Sequence, residues 1–276
     1  MQETERPTPS PEVSICIPTF NGAAFIEDTL APLLDCDPAR VEIVVSDHGS
    51  TDGTTDLIER VGRGRVRLVE GVLGREASVG SNWMRAVNAA RGVYLKVLCQ
   101  DDQVTSDLII RQAGVLRDSP SAAMCFSPVD VISNKGRVIM RRSRIGRDLN
   151  SDHELVTELA RLGTNPVGEP AGVMFRRAAI PPDFAPIWHF MLDLEFYLEA
   201  MKSGPAVFLD VSGAGFRVSA SSWSRALRRQ QASEAQTMIE SELGRLGMPG
   251  LSRRARCRIR TGGVARRMIS SLGARC

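Results

Sequence analysis

The feature that most constrains the fold is an alternation of short apolar runs with segments of helical periodicity in the first hundred residues. The apolar runs cover residues 13–18, 41–47, 66–71 and 93–99. None of these runs shows the polar–apolar alternation of a strand with one solvent-exposed face. Apolar runs without this alternation indicate a parallel sheet that is covered by helices on both faces. The sequence therefore predicts an α/β fold with a mostly parallel central sheet flanked by helices.

Small polar and acidic residues follow three of these predicted strands. They occupy residues 19–21, 47–50 and 100–102. Ligands of open α/β sheets bind outside the carboxyl ends of the strands. We therefore expect these three segments to lie together on one rim of the sheet.

Capping and breaking residues predict where several helices begin and end. A helix that starts near residue 25 should kink or end early at Pro32. The segment 151–163 opens with the Ser-x-x-Glu capping signature, and residues 191–204 have the pattern of an amphipathic helix. A polar helix is expected over roughly residues 224–246.

Two further strands are predicted in the middle of the chain. They cover residues 122–132 and 137–140, and the residues Asn134-Lys135-Gly136 between them have the composition of a hairpin turn.

Composition favours one compact domain with an extension. The chain has 276 residues, of which 43% are hydrophobic and 24% charged, as in ordinary globular proteins. We predict a disordered tail at 1–11, a domain at 12–222 with halves 12–103 and 104–222, and a helical, basic extension at 223–276.

No apolar run reaches the about 18 residues of a membrane-spanning helix. The N-terminus lacks the apolar core of a secretory signal, and six scattered cysteines suit a reduced, cytoplasmic protein without structural zinc.

Adjacent carboxylates follow the fourth predicted strand at Asp101 and Asp102. Like charges this close repel each other, and a divalent cation with a preference for oxygen ligands relieves the repulsion. Such a cation can also bind a diphosphate. The alternative is a solvated Asp-Asp turn that caps the next helix.

Asp47 stands at the end of the second predicted strand, before Gly49 and Ser50. A carboxylate there can accept a hydrogen bond from the imide N–H of uracil or thymine. The small residues that follow let a ring approach closely. The alternative is a simple turn in which His48 is partly exposed and Asp52 is the N-cap of the next helix.

Four segments, taken in order, resemble one family. They are Pro18-Thr19-Phe20-Asn21, Asp47-His48-Gly49-Ser50-Thr51-Asp52, the helix from Asn82 to Gly92, and Gln100-Asp101-Asp102. Their order and spacing resemble the nucleotide-sugar-binding half of family-2 glycosyltransferases, inverting enzymes with a Rossmann-like GT-A fold. The resemblance implies a nucleoside-diphosphate sugar as donor. The donor-binding residues that it implies are Pro18, Thr19, Asn21, Asp47, Ser50, Asn82 and Asp101.

The second half of the chain resembles the acceptor half of the family more weakly. The segment 168–177 resembles its acceptor-side loop and strand, which implies an acceptor-side position for Glu169, as it does for Arg217 further on. The segment 191–210 resembles the helix with the general base of the family. This match implies Asp193 as the base and Glu195 as a second candidate acid, whereas a solvated helix face is the alternative for both.

Two positions depart from the family pattern. Gln100 stands where the metal motif begins with Asp, and Ser219 stands where the family often has a metal-binding His. The resemblance then implies Asp102 as the main ligand of Mg²⁺ or Mn²⁺, assisted by Asp101, with the cation held weakly or largely by the phosphates of the donor.

The implied reaction transfers the sugar, with inversion, to a hydroxyl of a glycan or lipid-linked acceptor. Asp47 favours UDP or dTDP donors over GDP donors. A catalytically silent nucleotide-sugar-binding or scaffold protein remains an alternative because of Gln100 and Ser219. A nucleotidyltransferase is less favoured, since residues 18–25 contain no basic residue for a triphosphate.

The C-terminal segment separates the charges of the chain. Residues 248–276 contain eight arginines and no acidic residue, whereas the preceding residues carry 27 basic and 32 acidic side chains. With Ile259 and Leu272 among its arginines, this tail has the composition of a segment that lies on the inner face of an anionic membrane. A disordered basic end is the alternative. We expect no nucleic acid as a partner, since no stacking aromatic residues are interleaved with the arginines.

Overall fold

The computed structural model describes residues 10–70, 78–141, 145–218 and 228–260. The strands are β1 (Val13–Thr19), β2 (Val41–Asp47), β3 (Val66–Glu70), β4 (Tyr94–Val97), β5 (Gln103–Val104), β6 (Met124–Phe126), β7 (Val129–Ile132), β8 (Val138–Met140), β9 (Val173–Arg176), β10 (Ala206–Phe208) and β11 (Ala214–Arg217). The helices are α1 (Ile26–Leu34), α2 (Thr54–Gly62), α3 (Val79–Ala89), α4 (Ser106–Asp118), α5 (Asp152–Leu162), α6 (Leu192–Met201) and α7 (Arg228–Arg245). Residues 253–260 form a further helix, called the terminal helix below.

A seven-stranded sheet in the order β10-β6-β9-β4-β1-β2-β3 forms the centre of the molecule. Its neighbouring strands are parallel except at β9, which is antiparallel to both β4 and β6. A smaller sheet has the order β5-β11-β7-β8. The predicted α/β fold with a mostly parallel central sheet is therefore confirmed.

Helices cover both faces of the large sheet, as the unbroken apolar runs predict. Every residue of β1 is buried. Ile15 and Ile17 point to a core shared with α1 and α4, whereas Cys16 points to a core shared with α3, α5 and α6. Because alternate side chains enter different cores, the strand has no polar face.

The structure corrects two details of the predicted helices. Pro32 lies inside α1, and the helix continues to Leu34. Pro32 removes one hydrogen bond near the end of the helix, and the complete burial of Leu30 and Leu33 offsets that loss. The helix α6 is not amphipathic. Leu192, Leu194, Phe196, Tyr197, Leu198, Ala200 and Met201 are all buried, because other elements cover it on several sides.

The predicted strand at 122–132 is two strands in two sheets. The chain changes sheet at Ser127 and Pro128, since proline cannot donate to a strand ladder. The hairpin turn that follows is confirmed. Gly136 has φ of 73° and donates from its N–H to the Ser133 carbonyl at 2.9 Å.

The C-terminal extension packs against the domain. Side chains of α7 such as Ile239 join the core formed by α5 and α6, and so do Ala255 and Ile259 of the terminal helix. At Gly163, which has φ of 67°, an added Cβ would lie 2.9 Å from the Ile259 nitrogen, so the terminal helix sits directly on the end of α5.

Residues 1–9, Ser219 and residues 261–276 lie outside the described residues. Within the described ranges, no helix has the length and apolar character needed to cross a membrane.

Candidate active site

The three polar segments predicted on one rim do come together. β1 and β2 stay in register up to their last pair, Thr19 and Asp47. Beyond these strands, the Phe20 N–H donates to Gln100 Oε1 at 2.8 Å, and Gln100 Nε2 donates to the Phe20 carbonyl at 3.0 Å. This pair of bonds joins the loop after β1 to the loop after β4. An added Cβ at Gly22 would lie 2.5 Å from Gln100 Oε1, so the joint requires glycine there.

Asn21 and Ser50 link the loops that follow β1 and β2. The Asn21 N–H donates to Ser50 Oγ at 2.8 Å, and Asn21 Oδ1 accepts from the Thr51 N–H at 2.9 Å. Asn21 has φ of 49°, a left-handed conformation that asparagine tolerates. Gly53 occupies the N-cap position of α2, but Asp52 still accepts from the first N–H of the helix. Its Oδ1 accepts from the Thr54 N–H at 3.2 Å, and its Oδ2 accepts from the Ala23 N–H at 3.0 Å.

The carboxylate of Asp47 organises its own turn. Oδ2 accepts from the N–H groups of Gly49 at 2.9 Å and Ser50 at 2.8 Å, and Oδ1 accepts from Ser50 Oγ at 2.6 Å. The side chain is thereby fixed at the end of β2. His48 beside it packs edge-on against the ring of Phe20.

Three predicted donor-binding residues lie beneath the rim. Asn82 is 5% exposed, accepts from Ser46 Oγ at 2.6 Å and donates to the Thr19 carbonyl at 3.2 Å. Thr19 is 2% exposed, and Pro18 is buried within β1. Asn82 therefore ties the ends of β1 and β2 together from α3, a contact that supports the rim from below.

Asp102 is a buried carboxylate at the centre of the rim. It is 1% exposed, its Oδ1 accepts from the Arg217 N–H at 3.0 Å, and its Oδ2 has no hydrogen-bond partner among the described residues. Burial raises the pKa of Asp102 well above its ordinary value, and the nearby charges of Asp101 and Glu169 raise it further. Burial also raises the pKa of Asp101. We call Asp101 and Asp102, together with the nearby Glu169, the acidic centre.

Arg217, for which the sequence predicts an acceptor-side position, contacts the chain segments around the acidic centre. Its side chain is fully buried, and Nε donates to the Asp101 carbonyl at 2.7 Å. Nη1 donates to the carbonyls of Ser133 and Asn134, and Nη2 pairs with Asp28 at 3.2 Å. The guanidinium holds backbone segments around the acidic centre, so we assign it a structural role.

Asp193 is the second residue of α6. Burial raises the pKa of the Cys99 thiol, and the negative charges of Asp102, Asp101 and Asp193 raise it further. Asp193 Oδ2 accepts from Asn165 Nδ2 at 2.8 Å, and Oδ1 accepts from the Leu194 N–H at 2.8 Å. Both carboxylate oxygens of Asp193 are thus held by hydrogen bonds at the start of α6.

Comparison with known families decides the identity of this fold. A family model described as glycosyl transferase family 2 matches residues 14–182. The chain belongs to glycosyltransferase family 2. Its mostly parallel central sheet flanked by helices is that of a GT-A fold, which confirms the resemblance seen in the sequence.

Individual relatives of this glycosyltransferase agree with the family. The succinoglycan biosynthesis protein ExoO of Rhizobium meliloti is 30% identical over 168 residues, which cover 60% of this chain and 44% of ExoO. The chain spans only 44% to 65% of the length of three curated relatives.

Two solved structures share the fold at low sequence identity. The S. aureus TarS 1–349 complex with UDP-GlcNAc has a TM-score of 0.62 at 16% identity, with 94% of this chain and 73% of TarS covered. The mannosyltransferase PcManGT from Pyrobaculum calidifontis, in complex with GDP-Man and Mn²⁺, has a TM-score of 0.58 at 18% identity, with 97% and 75% covered.

The second candidate acid of this glycosyltransferase, Glu195, is engaged elsewhere. Its carboxylate accepts from the N–H groups of Ile187 at 2.9 Å and Trp188 at 3.0 Å. Burial raises its pKa despite these bonds. Glu195 thereby anchors the loop before α6.

Sequence reasoning missed two residues that hold the candidate base. Glu234 of α7 accepts from three successive N–H groups, those of His189, Phe190 and Met191, at 2.7, 2.5 and 3.0 Å. It thus fixes the start of α6 from the C-terminal extension. Asn165 binds Asp193 directly. The sequence signal that could have revealed Asn165 is the Asn-Pro-Val-Gly turn, because an asparagine side chain often accepts hydrogen bonds from the backbone of its own turn.

Proposed function

We propose that this family-2 glycosyltransferase is an inverting, metal-dependent enzyme. It moves a sugar from a nucleoside diphosphate to a hydroxyl of a glycan or lipid-linked acceptor. The observation that carries the proposal is the acidic pair at the end of β4, where Asp102 has a buried oxygen with no hydrogen-bond partner among the described residues, together with the charge of Asp193 on α6, which acts on the neighbouring Cys99. An enzyme that cleaves a sugar–diphosphate bond needs a group for the diphosphate and a base for the acceptor at one point.

Asp102 and Asp101 are the residues that would hold a divalent cation. The Oδ2 of Asp102, which has no hydrogen-bond partner in the described part of the chain, and the repulsion within the pair fit a hard cation. No cluster of three or more His, Cys, Asp or Glu residues with the arrangement of a metal site occurs within the described ranges, so the donor and water would provide the remaining ligands. When bound, the cation supplies positive charge opposite the diphosphate.

Asp193 acts on the acceptor. The acceptor oxygen attacks the anomeric carbon, the bond to the diphosphate oxygen breaks with its electron pair, and the proton of the acceptor passes to the Asp193 carboxylate. A base in this position contributes about 10²- to 10⁴-fold to the rate. Asn165 holds Asp193 in place by its amide hydrogen bond.

The donor lies over the rim, with Asp47 below the base. An ionised carboxylate has about four acceptor sites, and the turn uses three at Asp47, so it can still accept from the imide of UDP or dTDP. TarS was solved with UDP-GlcNAc and PcManGT with GDP-Man, so this preference rests on Asp47 alone.

Turnover of a panel of nucleoside-diphosphate sugars with Mn²⁺ or Mg²⁺ tests the proposal. We expect wild type to cleave one donor and Asp193→Ala to lose that activity. Glu199→Ala is the matched control, because it removes a carboxylate from the same helix that is paired with Lys202. Equal activity in wild type and Asp193→Ala would refute the role of Asp193. Donor binding without turnover would instead support the silent nucleotide-sugar-binding protein, an alternative that Gln100 and Ser219 keep open.

A peripheral membrane contact through the basic tail is a further part of this proposal, in revised form. Ile259 is 4% exposed and packs in the core, so it does not face a membrane. Arg253, Arg254 and Arg260 are exposed on the terminal helix. Flotation with anionic vesicles should decrease when these three arginines are replaced by glutamine, and equal flotation would remove the idea.

A further inference from the structure

The loop before α6 is mostly apolar and presents an isoleucine to solvent. Residues 181–190 read Pro-Pro-Asp-Phe-Ala-Pro-Ile-Trp-His-Phe. Ile187 is 80% exposed, the highest value among the large hydrophobic side chains of the described residues, and the half-buried Trp188 follows it. A single exposed isoleucine is common on protein surfaces. Whether this loop can leave water therefore depends on its backbone.

The first half of the loop has few free backbone donors. Three of its residues are prolines, which have no N–H: Pro181, Pro182 and Pro186. The Phe184 N–H donates to the Pro181 carbonyl at 3.1 Å. In this half of the loop, only Asp183 and Ala185 have an N–H group whose bond lies outside these contacts.

Two glutamates accept the N–H groups of the second half. Glu195 binds those of Ile187 and Trp188, and Glu234 binds those of residues 189–191. Five successive backbone donors are thus satisfied from beneath the loop. An N–H without a partner is costly in lipid, where no water replaces the lost bond. This loop can therefore enter an apolar environment while it keeps these hydrogen bonds.

The loop is also held in place on α3. An added Cβ at Gly80 would lie 2.8 Å from Pro186 Cγ, so the two backbones approach closely. Asn88 Nδ2 donates to the Pro182 carbonyl at 3.0 Å. Because these contacts fix the loop before anything binds, docking through Ile187 needs little further ordering of the chain.

A groove of about 730 Å³ is lined by this loop and by α3. Phe184, Ala185 and Pro186 form an apolar part of its wall. Its polar side chains come from α3 and the N-cap of that helix: Ser78, Ser81, Arg85 and Asn88. Arg85 Nη1 donates to the Asp47 carbonyl at 3.2 Å, and Arg85 has no acidic partner among the described residues. A guanidinium beside hydroxyl groups suits a phosphate, so the charge of the groove complements an anionic head group.

We propose that this loop and groove dock the protein on an anionic phospholipid surface, with Ile187 and Trp188 at the boundary between head groups and acyl chains and Arg85 at a lipid phosphate. Aliphatic and aromatic side chains beside an arginine are typical of interfacial contacts. Asp183 is exposed in the same loop and opposes anionic lipid, so the apolar side chains carry most of the contact. The loop leads directly into α6 and Asp193, which brings the candidate base to the surface where a lipid-linked acceptor lies.

The proposal deepens the membrane contact of the proposed function and rests on it. Flotation of the full chain with vesicles of phosphatidylcholine and phosphatidylglycerol tests it. The variants are Ile187→Ser and Arg85→Gln. Their matched controls are Ile110→Ser and Arg111→Gln, at exposed positions of α4, which packs on the opposite face of the central sheet. Phosphatidylcholine with brominated acyl chains quenches tryptophans that reach the acyl region, and Trp188→Phe identifies the share of Trp188.

We expect Ile187→Ser to bind the vesicles about tenfold more weakly than wild type, a change of about 1.4 kcal/mol. Arg85→Gln should bind about fivefold more weakly. Both controls should bind as wild type does. Brominated lipid should quench wild type and quench Trp188→Phe less. Because the Ile187 side chain is exposed, its replacement by serine should leave the fold intact.

Two outcomes would overturn the docking surface. One is flotation that is equal for wild type, Ile187→Ser and Ile110→Ser. The other is a dimer in sedimentation that Ile187→Ser dissociates while flotation stays unchanged, which would assign the loop to a second copy of the chain. Loss of UDP binding in Arg85→Gln, with flotation unchanged, would assign the groove to the donor and remove it from the proposal.

These failures differ from failure of the proposed function. If glutamine at Arg253, Arg254 and Arg260 leaves flotation unchanged while Ile187→Ser reduces it, the contact of the terminal helix is wrong and the loop stands. If the arginine variant alone reduces flotation, only the loop is wrong. Turnover of a donor with a water-soluble acceptor tests the transferase independently of either surface.

Discussion

Lys96 gives a quantitative test of how this chain tolerates a buried charge. Its side chain is fully buried in β4, and Nζ donates to Gln112 Oε1 at 2.8 Å and to the Val173 carbonyl at 3.1 Å. Burial lowers the pKa of Lys96 from 10.5 to about 7. A lysine of this kind makes stability depend on pH in a range where few other groups titrate.

The sign follows from proton binding. Between pH 7 and 10.5 the unfolded chain binds a proton at Lys96 that the folded chain has largely released, so the free energy of unfolding rises with pH in this window. With these two pKa values, the rise between pH 7 and pH 9 is about 2 kcal/mol. Below pH 7 both states bind the proton and the contribution becomes constant.

Urea unfolding at pH 7, 8 and 9 measures this dependence. We compare wild type with Lys96→Met and with Lys202→Met, which removes a lysine whose side chain is 52% exposed. Lys96→Met should lack the rise of about 2 kcal/mol, whereas Lys202→Met should keep it. Because the comparison concerns slopes, packing changes caused by methionine cancel. Equal slopes in wild type and Lys96→Met would refute the reasoning.

Three further predictions concern the site. Asp193→Asn keeps the size of the side chain and removes its basicity, so kcat should fall about 10²- to 10⁴-fold while donor affinity in calorimetry stays the same; an unchanged kcat would contradict its role. Glu234→Ala removes the acceptor of three N–H groups, so urea unfolding should show a loss of about 2 kcal/mol and kcat should fall with it, and an unchanged stability would argue against the anchor. Gly22→Ala places a Cβ 2.5 Å from Gln100 Oε1. The flexible Gln100 side chain can move away, so we expect little loss of stability but weaker UDP binding in calorimetry, and a Kd equal to that of wild type would show that the rim does not need this link.

The rim was predictable because it depends on local signals. An apolar run without alternation identifies a strand buried on both faces, and the rule for parallel sheets then places all the carboxyl ends on one edge. Thr19, Asp47 and Gln100 meet there for that reason. The helix cap at Ser151 and the turn at Gly136 are equally local, and both are confirmed.

Features that depend on distant contacts were not predictable from one sequence. Whether Glu195 faces solvent or binds a loop depends on where residues 187–188 fold, and no periodicity records that position. The same holds for Glu234, which contacts the chain 43 to 45 residues earlier. The amphipathic pattern of residues 191–204 suggested that α6 has one solvent-exposed face. The helix is instead covered on several sides, and a single sequence does not show how many elements surround a helix.

The contacts of Arg217 also bear on how the protein is made. Its guanidinium reaches Asp28, 189 residues earlier, and the Asp101 carbonyl, 116 residues earlier. On the ribosome, both partners emerge long before the arginine does. A nascent chain therefore carries the repelling pair of aspartates without the positive charge of Arg217 until β11 has been synthesised, and the acidic centre is among the last parts of the molecule to mature.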